Sequence, residues 1–516
     1  MMSAKTDFCP ARLFACFLLW ILIFGNIKSA AQVVGLSSSS FQVNVDAGGK
    51  NIPGDAANEP SLCIDPNNPN RIAVGWRQFD HVQNDFRQAG WAYSTNGGLN
   101  WVFPGVLEAG TFRSDPVLAS DADGIFYYLG VITNGNLHCD LFRSTNWGLN
   151  WEFVGLAEGG DKEWMTIDTT TGPGRGTIYQ AWSPFYNFAN NANQLFSRSI
   201  DGGNTWMGAI AIPDQPYFGT VAVGPAGEVY MAGWDGSTFR VNRSTNAANS
   251  TSAMTFDLAT QVSLGGSLIF DGPVNPIGLL GQPWVAVDRS AGPTRGNVYL
   301  LSTVSGLGNP SNIMFSRSTN NGATWSPPLR INDDSANANA YHWFGTLSVA
   351  PNGRIDACWN DTRHSPTNGF SELFYSYSQD GGLTWAANTA ISQPFDHTLG
   401  YPVQEKMGDY IGMVSLDGGV LIAYTATFNG EEDIWFARVQ LPIDVNVALI
   451  NQTVRLTWNT IPGTTYCVEA KDDVTLPWSA AVNLGCIVGT GGLTALLDSS
   501  VTNGLSRIYR VVAQAE

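Results

Sequence analysis

Apolar positions in this chain come in short runs. Residues 71–76 (RIAVGW), 176–182 (GTIYQAW), 296–301 (GNVYLL), 372–377 (ELFYSY) and 433–438 (DIWFAR) are typical. Runs of this length, rich in β-branched and aromatic residues and bounded by Gly, Pro, Asn or Asp, predict strands. Long amphipathic helical patterns of Glu, Lys and Leu are absent, so the pattern predicts an all-β protein. A strand, a turn and a second strand recur seven times between about residues 60 and 441. The openings lie at residues 61–64, 115–118, 163–167, 219–223, 282–287, 345–349 and 408–414. The two ends read differently. Residues 13–27 (LFACFLLWILIFGNI) follow Lys5 and Arg12 and precede Ser29-Ala30-Ala31, which predicts an export leader over residues 1–31. An uncleaved anchor is the alternative. With the leader removed, the chain is expected outside the cytoplasm, secreted and without a membrane span. Residues 442–516 hold short apolar runs such as 454–458 (VRLTW) and 508–512 (IYRVV), separated by polar turns, and form a second unit.

One eight-residue stretch organises the middle. Ser378-Gln379-Asp380-Gly381-Gly382-Leu383-Thr384-Trp385 recurs at residues 199–206 (SIDGGNTW). Looser copies lie at 94–101, 144–151 and 318–325, and a copy at 243–246 (RSTN) lacks the glycines and the Trp. Successive copies start about 45–75 residues apart, the spacing of blades and arrays. The Asp or Asn can bond backbone N–H groups ahead of it, and the glycines supply positive φ, which makes a hairpin turn. Ser-x-Asp-Gly-Gly-x-Thr-Trp resembles the Asp-box, or bacterial neuraminidase repeat, of sialidase-type β-propellers. The resemblance implies a propeller over residues 32–441. Seven units imply seven blades, against the six of sialidases, with six as the alternative count. The seventh unit has three strands, and residues 41–45 (FQVNV) are expected to close the ring as its fourth. Residues 442–516 resemble the fibronectin-like or immunoglobulin-like β-sandwich modules of exported bacterial enzymes.

Composition adds three constraints. The net charge of −17 argues against nucleic acid or an anionic membrane surface as partner. Removal of the leader takes Cys9 and Cys16 and leaves five cysteines, so one chain cannot pair them all. Cys467 and Cys486 are expected to form a disulfide in the small C-terminal unit, with two separate buried thiols as the alternative. No spacing suggests a metal, and no cofactor is expected.

Candidate chemistry lies in the loops that enter the innermost strands and those that leave the second strands, since both reach one face of a propeller. The family's chemistry needs arginines that grip a sugar carboxylate, an acid that protonates the leaving oxygen, and a Tyr nucleophile activated by Glu. The resemblance then assigns Asp80, with Asp85 as the alternative acid, Glu163, Asp361, Asp409 and Tyr410 to catalysis. It assigns Arg77, Arg113, Asp115 and Arg363 to substrate binding. One departure stands out: where sialidases carry Arg-Ile-Pro, this chain reads Asn58-Glu59-Pro60-Ser61. Asp115-Pro116 and Asp361-x-Arg363 also read as turn and ion-pair devices, and Tyr410 as packing. Two functions follow from the sequence: a secreted sialidase-like glycoside hydrolase, or a non-catalytic propeller that binds a glycan or a protein. A purely structural platform is a third.

Overall fold

The computed structural model describes residues 35–514, apart from residues 134, 186–192, 250–252, 307, 336–338, 452 and 501–506. It also describes the backbone of Leu18–Ile23 and Ile27–Gln32, two short antiparallel strands. Most of the expected leader therefore lies outside the described residues. The described chain is all-β. Its helical content is one turn, Trp478–Ala480, and no described helix is long and apolar enough to cross a membrane.

Seven sheets share one plan, four antiparallel strands in a row, to which the sixth adds a short strand, Phe395–Asp396, beside its third. In the first sheet the strands are Ala56–Ile64, Ile72–Phe79, Gln88–Ser94 and Val102–Leu107. The first strands of the next six sheets are Ser114–Ser120, Trp164–Ile167, Val221–Val223, Trp284–Val287, His342–Val349 and Gly412–Leu416. These innermost strands pack against one another in chain order, and the seventh packs against the first. One cavity of about 520 Å³ is lined by residues of all seven sheets, among them Ile64, Ala119, Thr166, Ala222, Ala286, Ser348 and Val414. The sheets thus surround a common axis, the construction of a propeller.

The seventh sheet takes its fourth strand from the other end of the chain. Ser37–Gln42 pairs antiparallel with Asp433–Gln440, with Phe41 opposite Phe436. The closing strand lies a few residues upstream of the expected 41–45. Val43 N–H still reaches Ile434 O at 2.8 Å, and Val45 makes an isolated bridge to Asn51.

The recurring turns join the third and fourth strands of the first six sheets. In each, the Ser hydroxyl donates to the Asp or Asn two residues on; in the sixth sheet Ser378 reaches Asp380 at 2.8 Å. The carboxylate then caps later amides: Asp380 accepts from the Leu383 and Thr384 N–H groups, both at 2.9 Å. The degenerate copy keeps the device. Asn246 caps Thr255 N–H at 2.9 Å, across a longer excursion.

The turns also hold the ring together, which the sequence reading did not foresee. An Arg on the third strand of one sheet donates to a carbonyl in the next sheet's turn. Arg243 reaches Asn321 O at 2.8 Å, Arg317 reaches Gly381 O at 3.1 Å, and Arg198 reaches Ala247 O. Arg438 of the seventh sheet does the same to Gly97 O in the first, across the point of closure. The second glycine of the turn is needed for space as well as for φ. At Gly382 (φ 82°) a Cβ would stand 2.5 Å from the Phe315 ring of the preceding sheet.

Beyond Leu441 two three-stranded sheets enclose a core of Val454, Leu456, Trp458, Tyr466, Val468 and Tyr509. Cys467 and Cys486 lie opposite each other on adjacent strands and form a disulfide, while Cys63, Cys139 and Cys358 are buried thiols. This unit is docked through Arg438, which also donates to Pro462 O at 2.6 Å and Thr464 Oγ1 at 2.8 Å.

Candidate functional site

At the end of the ring away from the recurring turns, the innermost strands begin with a repeated irregularity. Glu59, Asp115, Lys162, Phe218 and Phe344 all have φ between 47° and 60°, and Gly408 has φ 95°. Each stands just before, or at a bulge within, the first strand of its sheet. A left-handed conformation costs a non-glycine residue about 1–2 kcal/mol. Five such residues at matching positions mark a place where backbone strain is tolerated to set side-chain direction.

Four of the sheets contribute charge here. Arg77 Nε lies 3.1 Å from Glu59 and 2.8 Å from Asn58 Oδ1, and its Nη1 donates to Gln404 at 2.9 Å. Lys162 Nζ contacts Asp409, lies 2.9 Å from Asp115 and stands 3.9 Å from Glu59. Lys406 Nζ lies 2.6 Å from Asp409 and 3.0 Å from Glu59. Three cations therefore face three carboxyls from the first, second and seventh sheets. Glu59, Arg77, Asp115, Lys406 and Asp409 are all buried, and Lys162 is nearly so. Asp161 is half-buried beside them.

The carboxyls are driven apart. Burial lifts Glu59 to about 7, against the pull of Arg77 and Lys406. Burial, the largest single influence, would raise Asp115 and Asp409, but Lys162, Arg77 and Lys406 together outweigh it and hold both well below the usual carboxylate range. Burial raises Asp161 to about 6. Neighbouring carboxyls with opposed shifts are what acid–base chemistry uses, and also what a closed ion network produces.

The sequence-derived candidates separate into groups. Arg77, Asp115 and Asp409 meet in this cluster. Glu163 lies behind it, 1% exposed, with neither carboxyl oxygen bonded among the described residues. Burial, then Asp115, pushes its carboxyl well above the usual range. Tyr410 is also beneath the cluster, 3% exposed. Its hydroxyl donates to Pro116 O at 2.9 Å, and its ring meets Trp164 edge-on at 5.5 Å. Burial first, then Glu59, Asp115 and Glu163, pushes the phenol well above its ordinary value, the reverse of an activated nucleophile. Packing, the alternative reading, describes it better.

The other candidates are elsewhere. Arg113 is paired with Glu108 and, at 2.9 Å, with Asp140, its guanidinium 4.6 Å over the Phe142 ring. Arg363 joins Asp361 and Asp333 at the sixth sheet, with its guanidinium 4.4 Å over Phe374. Asp361 is further tied to the Trp359 indole at 2.8 Å. Asp80 is exposed on its loop and accepts from Gln88 at 3.2 Å. The expected convergence of Arg77, Arg113 and Arg363 is not found. Two of the three are held in ion pairs at separate sheets, as the turn-and-ion-pair reading of Asp361-x-Arg363 had it. Lys162 is the residue the sequence reading missed. Its signal was positional, since it precedes an innermost strand as Glu59 and Asp115 do.

The cavity on the axis opens at the opposite end. It is bounded by Pro66, Ala122, Thr169 and Arg289 of the turns there, and reaches inward to Trp164 and Trp284. Those two rings meet edge-on at 4.9 Å and, with Tyr410, separate the channel from the ion cluster.

No family model and no curated protein matches the sequence. Among solved structures, the chain is similar to a protein of unknown function from Dyadobacter fermentans at 14% identity, covering 79% of this chain and 99% of that one, with a TM-score of 0.46. It is similar to the BP39L lectin of Burkholderia pseudomallei at 12% identity, covering 74% and 96%, with a TM-score of 0.46. It is similar to a Hadza microbial sialidase at 15% identity, covering 72% and 77%, with a TM-score of 0.36.

Proposed function

We propose that this chain is an exported Asp-box propeller of seven blades, residues 32–441, with a β-sandwich module from residue 442, and that it recognises glycans without cleaving sialosides. The observation that carries the second half is the fate of the arginines. A sialoside carboxylate needs two or more arginines aimed at one point. Here Arg113 and Arg363 are each committed to carboxylates at separate sheets, and Arg77 is committed to Glu59. Tyr410, the expected nucleophile, is spent on Pro116. The recurring turns support the Asp-box assignment, since Ser, Asp and the following amides bond as the motif requires. Glycan-array binding by the full chain tests the reading. Retention of defined glycans supports it, and a blank array with a properly folded chain refutes it and leaves a protein ligand.

One observation favours the hydrolase reading. Burial raises Asp161 and Glu59 while the cations hold Asp115 and Asp409 low, and Asp161 is partly exposed to solvent. A panel of fluorogenic glycosides separates the two. Turnover that Asp161→Asn abolishes would establish a glycosidase of another type.

A further inference from the structure

The axial channel, about 520 Å³ in volume, plays no part in the ion cluster. Among its described lining residues there is no carboxyl, and the one charged side chain is Arg289, in a chain of net charge −17. Arg289 is exposed in the turn that follows the fifth sheet's innermost strand. Its Nη1 donates to Thr169 Oγ1 at 2.8 Å, and it forms no ion pair among the described residues. At the other end of that strand, Trp284 forms the floor together with Trp164. Neither indole N–H has a hydrogen-bond partner among the described residues, and neither is sealed from solvent as that of Trp182 is. The Ser120 and Thr166 side chains on the wall are half-buried, and their hydroxyls are equally unbonded among the described residues.

We propose that this channel binds a small, extended organic acid, with its carboxylate at Arg289 and a hydrogen-bond acceptor at its far end beside Trp164 and Trp284. The site is separate from the ion cluster, and the inference does not rest on glycan recognition. The volume falls within the roughly 300–1,000 Å³ of small-molecule sites. A guanidinium with no carboxylate partner of its own offers a ligand carboxylate charge-assisted, bidentate bonds. That carboxylate meets no like charge on the wall. The strand Trp284–Val287 rises about 10 Å between floor and mouth, which suits a molecule with polar groups at its two ends. Unpartnered indole donors favour an acceptor there over an apolar terminus, which would leave them unpaired.

The test uses the full chain and three probes, each titrated by calorimetry. They are para-hydroxycinnamate, cinnamate, which lacks the far acceptor, and para-hydroxycinnamamide, which lacks the charge. Para-hydroxycinnamate should bind, and the other two should each bind about fivefold or more weakly. Arg289→Gln should raise the para-hydroxycinnamate dissociation constant about tenfold or more and leave that of the amide near the parent's. Ala122→Trp, which fills the mouth from its rim, should abolish binding of all three. Both positions lie in turns, and thermal midpoints near the parent's show that the variants fold. Failure of the unaltered chain to bind either acid overturns the proposal. So does a preference for acid over amide that survives Arg289→Gln, or binding that Ala122→Trp leaves at parental affinity. None of these results bears on glycan retention by the array.

Discussion

Lys162 pairs with carboxyls from three different sheets and is the one cation that pairs with Asp115 among the described residues. Removing it leaves Asp115 and Asp409 buried with fewer opposite charges, and breaking a buried pair from one side costs about 3–5 kcal/mol. Lys162→Met should therefore lower the unfolding free energy obtained from urea titration by an amount of that order. Tyr410→Phe removes a single neutral hydrogen bond and should cost only about 0.5–1.5 kcal/mol. If the two variants lost equal stability, the ion cluster would not be a joint of the ring. A second group of carboxyls behaves in the opposite sense. Burial raises Asp55 to about 6 and Asp433 to about 7, while Gln78 and Asn44 bond the first, and Asn429 and Asn44 the second. A carboxyl raised on folding stabilises fully below its unfolded value, near 4, and that stability is lost as pH rises through 6 and 7. Asp115 and Asp409, held low, stabilise above about 4 and lose that contribution as pH falls. The thermal midpoint should peak between about pH 4 and 6 and fall toward pH 8, and Asp433→Asn should flatten the alkaline side. An unchanged alkaline side would show that Asp433 is ionised throughout.

The recurring turn is an element with two jobs, and the sequence displayed only one of them. Ser, Asp and the paired glycines announce a hairpin through local chemistry alone, so the turns and their flanking strands were legible at once. The second job is contact between sheets, where a third-strand Arg reaches a carbonyl contributed by a turn some fifty or more residues away. Nothing local distinguishes Arg243 or Arg317 from any exposed strand Arg, and only the register between sheets gives them a partner. The same limit governs the candidate site. Loop positions that face the axis were legible from strand order, which is why Arg77, Asp115 and Asp409 were found together. Which charge meets which depends on blade rotation and on the left-handed residues at Glu59, Asp115 and Lys162, so Arg113 and Arg363 could not be excluded from the sequence. The element predicts its own test. Gly382→Ala puts a Cβ against the Phe315 ring at positive φ and should cost about 1–3 kcal/mol, whereas Gly381→Ala, also at positive φ, meets a single Thr294 methyl and should cost less. Equal losses would mean that strain, and not the neighbouring ring, explains the second glycine.

At the scale of the whole molecule, one residue ties three parts. Arg438 lies on the seventh sheet, donates into the first sheet's turn and reaches Pro462 and Thr464 of the C-terminal unit. The Tyr466 hydroxyl, bonded to Gln440, reinforces the same junction. Closure of the ring and docking of the C-terminal unit should therefore be lost together: Arg438→Ala should raise protease sensitivity both at the closing strand and near residue 462, and cleavage at one place only would separate the two. The ring in turn presents a plugged end at which Arg77, Arg113 and Arg363 are each committed to a carboxylate, and on this ground we propose recognition without sialoside cleavage. Hydrolysis of a fluorogenic sialoside by the full chain decides between recognition and cleavage. Release no faster than in buffer is expected, for the parent and for Tyr410→Phe alike, and turnover by the parent that Tyr410→Phe abolishes would contradict recognition without cleavage.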